Sequence, residues 1–290
     1  MFQRLLICTD LNDGLQQLGR SIASFAAIGV QHITFLSSKP IEETKGVPRL
    51  EASEIAKVKA AVQHWLPETL PIAVDIEVQM GRATDVILAV AAQSQADLIV
   101  LGTASKTNLN EKLFGSTTID LAKKTTIPLL IFRPQLLDVM TREELDLRCG
   151  ELFQRLLIPY NGSPAAQHIV DRVVALNQPQ GTVGRATLCW VNADRNWLSL
   201  PETEQAAQIE QQLTPAETKL QAAQITSDRA VHQGSALQGI LATAREADIT
   251  AIAIASNSLG TLLEWTTPSL TGDLIRQSWY PLLFFPQPAK

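Results

Sequence analysis

Short apolar runs alternate along this chain with longer stretches in which apolar residues return every three or four positions. Arg4–Thr9 is a nearly continuous apolar run of strand length, the pattern of a strand covered on both faces. Leu15, Leu18, Ile22 and Phe25 then recur at helical spacing as far as Gly29, which reads as a C-terminal stop. Ile33–Ser37 is a second strand; Ala52, Ile55, Val58, Ala61, Val62 and Trp65 form the apolar face of a helix broken by Pro67. Ile72–Val78, Asp97–Leu101 and Ile127–Phe132 supply three more strands, with helices at 84–95 and 116–125 between them. The order then repeats, with strands near 155–159, 185–191, 226–232, 249–255 and 281–285. Strand alternating with helix predicts an α/β fold: right-handed crossovers and parallel sheets covered by helices on both faces.

The repetition is also literal. Phe2–Ile7 and Phe153–Ile158 both read Phe-Gln-Arg-Leu-Leu-Ile, 151 positions apart. Gly81 and Gly234 each precede an apolar helix, and Ile127-Pro128 aligns with Tyr280-Pro281, both at an offset of 153. Near-constant offsets mark a tandem duplication. The expected organisation is one domain over 1–135, a linker over 136–151 and a second domain over 152–290. Within the linker, Thr141-Arg-Glu-Glu144 has the spacing of a capping box and so of a short helix.

Composition narrows the classes of function. A net charge of −5 without a basic cluster argues against a nucleic-acid surface. The longest apolar runs fall far short of the ~20 residues of a membrane span, and residues 1–8 lack the core of a signal peptide. Cys8, Cys149 and Cys189 form no CxxC pair; Cys8 and Cys189 lie in apolar runs and read as buried, reduced thiols. A soluble, cytoplasmic protein is the expectation. His32, His64, His168 and His232 are scattered without metal-ligand spacing, and neither a nucleophile elbow nor a Walker A sequence is present.

Ligands of open parallel sheets bind beyond the carboxyl ends of the strands, where the strand order reverses. Thr9-Asp10-Leu11-Asn12 follows the first strand, and Gly102-Thr-Ala-Ser105-Lys106 follows the fourth. Nine residues separate Ser105 from Gly115-Ser116, which opens the next helix. A glycine admits a phosphate close to the backbone and a helix start offers free N–H groups, while Lys106 and Lys112 could add countercharge. Asp10 also suits a plain cap for the helix after the first strand.

With these residues the chain resembles the universal stress proteins of the adenine-nucleotide-binding α/β superfamily. Their nucleotide pattern, Gly-x2-Gly-x9-Gly-Ser/Thr after an aspartate at the first strand, is met by Asp10, Gly102, Gly115 and Ser116, with Ser105 replacing the middle glycine. The resemblance implies five parallel strands in the order 3-2-1-4-5 per domain. It also implies ATP or a related adenine nucleotide as ligand, with magnesium accompanying it, held by Asp10, Gly102, Ser105, Lys106, Gly115 and Ser116. A regulatory, non-catalytic stress role follows from the same resemblance.

The second copy departs further: Asn161 stands for Asp10, Ala255 for Gly102, Trp265 for Lys112 and Pro268 for Gly115. Nucleotide binding is therefore expected in the first copy only. The alternatives are a ligand-free interaction scaffold acting on an unknown regulatory protein partner, and, third, a slow ATPase. The apolar edge strands Ile127–Phe132 and Leu282–Phe285 are expected to pair within the chain as a pseudo-dimer, a unit open to further homo-oligomerisation.

Overall fold

The computed structural model describes residues 1–41, 51–103, 116–178, 181–192, 197–255 and 270–286. The chain divides into two compact units, Phe2–Gly150 and, together with Met1, Glu151–Lys290.

In the first unit the strands β1 (Arg4–Cys8), β2 (His32–Lys39), β3 (Ala73–Met80), β4 (Leu98–Gly102) and β5 (Leu129–Phe132) run parallel in the order 3-2-1-4-5. The helices are α1 (Ile22–Ala27), α2 (Ala52–Gln63), α3 (Ala83–Gln93), α4 (Ser116–Lys124), α5 (Pro134–Val139) and α6 (Arg142–Gly150). The second unit repeats the order with β6 (Arg155–Pro159), β7 (Arg185–Asn192), β8 (Thr226–Gln233), β9 (Ala251–Ala255) and β10 (Leu282–Phe285). Its helices are α7 (Pro164–Leu176), α8 (Glu202–Ala222), α9 (Ala236–Glu246) and α10 (Leu270–Gln277). The continuous apolar runs are the central strands: Leu5, Leu6 and Ile7 are buried, as are Leu156, Leu157 and Ile158. All ten strands expected from the pattern form, with ends shifted by a few residues.

One such shift has a clear cause. Asp97 precedes β4, and its carboxylate accepts the N–H groups of Gln3 (2.7 Å) and Arg4 (2.9 Å), pinning the start of β1. In the second unit the Thr250 hydroxyl accepts from Arg155 N at 3.1 Å. The position is kept while its chemistry changes.

Two expectations need correction. The segment after β1 starts as a 3₁₀ helix, Leu15–Ser21, entered through Gly14 at φ 72, and becomes α-helical only at α1. Leu15 and Leu18 are three apart, a spacing that fits either helix, and Gly19 weakens the α form. Ala52, placed on the apolar face of α2, is exposed; of the residues named for that face, Val58 and Val62 are the buried ones. Asp120 and Asp273, aligned between the copies, do not share a partner. Asp120 pairs with Arg82 across from α3 at 2.5 Å, whereas Asp273 pairs with Arg276 on its own helix.

The stretch read as a linker is folded. Thr141 N donates to Glu144 Oε2 (2.8 Å) and Glu144 N to Thr141 Oγ1 (3.2 Å), the reciprocal bonds of a capping box at the start of α6. Helix α6 packs on α1 and the 3₁₀ segment, and Leu137, Leu145 and Cys149 are buried.

In the second unit Trp190 and Trp197 are buried edge to face at 5.7 Å, while Trp279 is 58% exposed and Trp265 lies outside the described residues. Arg229 on β8 reaches Glu210 and Glu217, which flank Pro215 inside α8, where one helical N–H is missing. The Arg229 hydrogen bonds hold the Glu210 carboxyl down at about 2. The clamp bridges the turns on either side of the proline. No helix among the described residues is long and apolar enough to cross a membrane.

Candidate functional site

A cleft of about 260 Å³ opens at the carboxyl ends of β1, β2 and β4 in the first unit. One side is the loop after β1. There the Asp10 carboxylate accepts the N–H groups of Asn12 (2.8 Å) and Asp13 (3.0 Å), and the Thr9 hydroxyl accepts that of Leu11 (3.0 Å). Leu11 is thereby held at φ 68, a conformation that costs a leucine on the order of 1 kcal/mol. Asp10 is exposed and shapes this turn; the helical segment itself starts beyond Gly14, so Asp10 is not its N-cap.

Asp13, absent from the expected site, is central to this wall. Its carboxylate accepts from the Thr9 hydroxyl at 2.6 Å and from Leu15 N at 3.1 Å. Burial pushes the Asp13 carboxyl up; the bonds from Thr9 and Leu15 pull it down, and the neighbouring Asp10 charge adds to the rise. A carboxylate two residues before a helical start, next to Gly14, was the available signal for this loop-bracing role. Because the folded form holds its proton where the unfolded chain has released it, stability tied to Asp13 is fully present at low pH. It is lost as pH rises through the raised folded value. Asp13→Asn keeps an oxygen acceptor but cannot ionise. Its melting temperature is therefore expected to gain on that of the parent as pH rises above the ordinary aspartate value of about 4. A difference that stays constant over that rise would count against the burial of this charge.

The opposite side belongs to β4 and α4. Gly102 ends β4, and Thr103 N donates to Phe132 O at 2.9 Å, tying the strand exit to β5. A Cβ at Gly102 would meet Pro134 Cγ at 3.2 Å, Leu15 Cδ1 at 3.4 Å and Asp13 Cβ at 3.6 Å. The bare backbone therefore serves packing of α5 and the β1 loop, as well as lining the cleft. Ser116 opens α4, whose Thr117 and Thr118 face the cleft; the first N–H groups of a helix have no partner within it. Leu36, Ala83, Ile87 and Leu101 supply an apolar wall between these ends. Ser105, Lys106, Lys112 and Gly115 lie outside the described residues.

This arrangement sorts ligand groups by chemistry. The β1 loop has spent its N–H groups on its own side chains and presents carboxylate oxygens, so it suits hydroxyl or amine donors. The start of α4 suits an anion. Among the described residues no group of three His, Cys, Asp or Glu side chains is placed to hold a metal ion.

The equivalent corner of the second unit is built differently. Asn161 accepts from Ser163 N at 3.1 Å, and Ser163 caps α7. Gly162, at φ 71, is overlain by α8: a Cβ there would come within 2.5 Å of Gln212 Oε1. Tyr160 is buried where the first copy has Thr9, and Ala255 is fully buried where it has Gly102.

The sequence matches the family model described as the universal stress protein family twice, over residues 1–133 and 152–286. No curated protein matches the chain. Among solved structures, a universal stress protein from Archaeoglobus fulgidus DSM 4304 aligns with a TM-score of 0.67 at 19% identity, over 97% of this chain and 95% of its own. A functionally unknown protein from Pseudomonas aeruginosa PAO1 aligns with a TM-score of 0.59 at 14% identity, over 98% of this chain and 92% of its own. At these identities the structural likeness speaks to the fold. The paired family matches say more: this chain belongs to the universal stress protein family, which accounts for both of its halves.

Proposed function

We propose that the chain is a non-catalytic regulatory protein that binds an adenine nucleotide in its first half alone. The observation that carries this reading is the cleft at the ends of β1 and β4, with the exposed Asp10 carboxylate at one side, an apolar wall, and a helix start opposite. Ribose hydroxyls suit Asp10, the base suits Leu36 and Ile87, and phosphates suit the start of α4. A magnesium ion would travel with a triphosphate, since carboxylate and hydroxyl oxygens are the donors such an ion takes. Non-catalytic action is supported by Asp13, whose carboxylate is occupied by Thr9 and Leu15 and so is not free to activate a nucleophile. In the second half, Gln212 over Gly162 and the buried Ala255 support a copy that serves without nucleotide.

Calorimetry and thermal-shift titration with ATP, AMP and a cyclic dinucleotide test the reading. At least one adenine nucleotide should bind and raise the melting temperature. Asp10→Ala should weaken that binding about tenfold or more. Its own melting temperature should stay close to the parent's, because the N–H groups it frees are exposed to water. Phosphate release should not exceed that of a cleft variant. A folded protein that answers none of the nucleotides would replace this reading with a ligand-free scaffold.

A further inference from the structure

The first unit holds a second cavity, of about 300 Å³, that shares no lining residue with the cleft. Three separate stretches meet there: Arg20 near the end of the 3₁₀ segment, the His64–Pro67 turn after α2, and Arg142 in the first turn of α6. Gly19 makes the meeting close. A Cβ at that position would stand 3.0 Å from Leu66 Cδ2 and 3.3 Å from the Trp65 carbonyl oxygen. The Arg20 guanidinium carbon lies 3.8 Å from the centre of the Trp65 ring, and the His64 ring meets the same indole edge to face at 5.0 Å.

The charges here are poorly answered. Stacking on an indole occupies the face of a guanidinium and leaves its in-plane N–H donors free. No carboxylate pairs with Arg20 among the described residues. Arg142 Nε is 3.7 Å from Asp146 Oδ2, a loose pair with side chains 64% and 36% exposed, the kind that contributes little. Two permanent cations and an imidazole thus converge on one cavity in a chain of net charge −5. Arg142 lies outside the family match that ends at residue 133. At the offset of 151, Arg20 becomes Asp171, which pairs with Lys219 at 2.7 Å. The second copy therefore inverts the charge, and the cavity belongs to the first copy and its appended helix.

We propose that this cavity is a second binding site, for a phosphate dianion, either free or as the head of a small ester. Two guanidiniums match its charge and offer forked donors to its oxygens. The volume is at the lower end of small-ligand pockets, which favours a small molecule over a peptide helix.

The test is calorimetry of the full chain with ribose 5-phosphate, inorganic phosphate, and ribose as the neutral control. Ribose 5-phosphate or phosphate should bind and ribose should not; the tighter of the two identifies the occupant. Arg20→Met, which keeps an apolar stem on Trp65, and Arg142→Gln should each weaken binding about tenfold or more. Arg20→Lys, retaining charge without the fork, should fall between. Asp10→Ala should leave this affinity unchanged, so the site stands or falls apart from the nucleotide cleft. Absence of binding to the folded parent protein would overturn the proposal. So would affinity that survives both arginine substitutions, or that is lost in Asp10→Ala instead. Thermal melts of each variant confirm that it is folded.

Discussion

Replacing Phe35 with alanine should cost the first unit about 3–5 kcal/mol, the usual range for truncating a buried phenylalanine. Phe35 is fully buried on β2, paired in register with Ile7 on β1 and Ile76 on β3. Its ring therefore sits in the middle of three strands, where neighbours joined by ladder hydrogen bonds can close on a void only slightly. The cost has two parts, the lost transfer of the ring from water and the cavity left behind. Urea unfolding followed by far-UV circular dichroism measures it as a lowered midpoint with little change in slope. A loss below about 1 kcal/mol would mean that β2 collapses freely, contrary to the tight registers on both sides.

Gly102→Val is expected to strike both fold and ligand binding. The Cβ alone would already touch Pro134, Leu15 and Asp13, and valine adds two methyl groups that cannot both turn away. Overpacking of this kind costs about 1–3 kcal/mol. The yielding parts would be the start of α5 and the β1 loop, and the latter carries Asp10. Nucleotide binding should accordingly fall below detection, while Gly102→Ala, which asks its neighbours for a few tenths of an ångström, should retain part of it. The paired readout is a titration beside a melting curve. Wild-type affinity in the valine variant would show that this wall does not frame the ligand.

How much of this was legible beforehand depended on whether the signal was local. The apolar runs named the central strands, because covering both faces of a parallel sheet leaves little choice of residue, whereas the edge strands β3 and β8 bury no residue and were placed by the repeating order. Thr141 and Glu144 disclosed the α6 start, since a capping box needs only four consecutive positions. The 3₁₀ stretch was misread because an i, i+3 pair of leucines serves both helix types. Asp10 and Gly102 both line the cleft, and each also does local work that spacing does not reveal. Asp10 braces a turn that holds Leu11 at positive φ, and the space beside Gly102 belongs mainly to Pro134 and Leu15. Asp13 escaped notice because its importance comes from burial, which spacing does not reveal. Arg20, Trp65 and Arg142 were illegible for a related reason: they are brought together by packing across some 120 positions of sequence.

The buried seats of Leu137, Leu145 and Cys149 carry a consequence for where the first unit can be cut. The family domain ends at residue 133, but the piece that holds together runs to Gly150. The unit that the family repeats and the unit that packs together have different ends. The stretch between the two family matches packs into the first unit, and through it Arg142 lines a charged cavity. A fragment cut at residue 133 would leave behind Arg142 and the buried Leu137, Leu145 and Cys149.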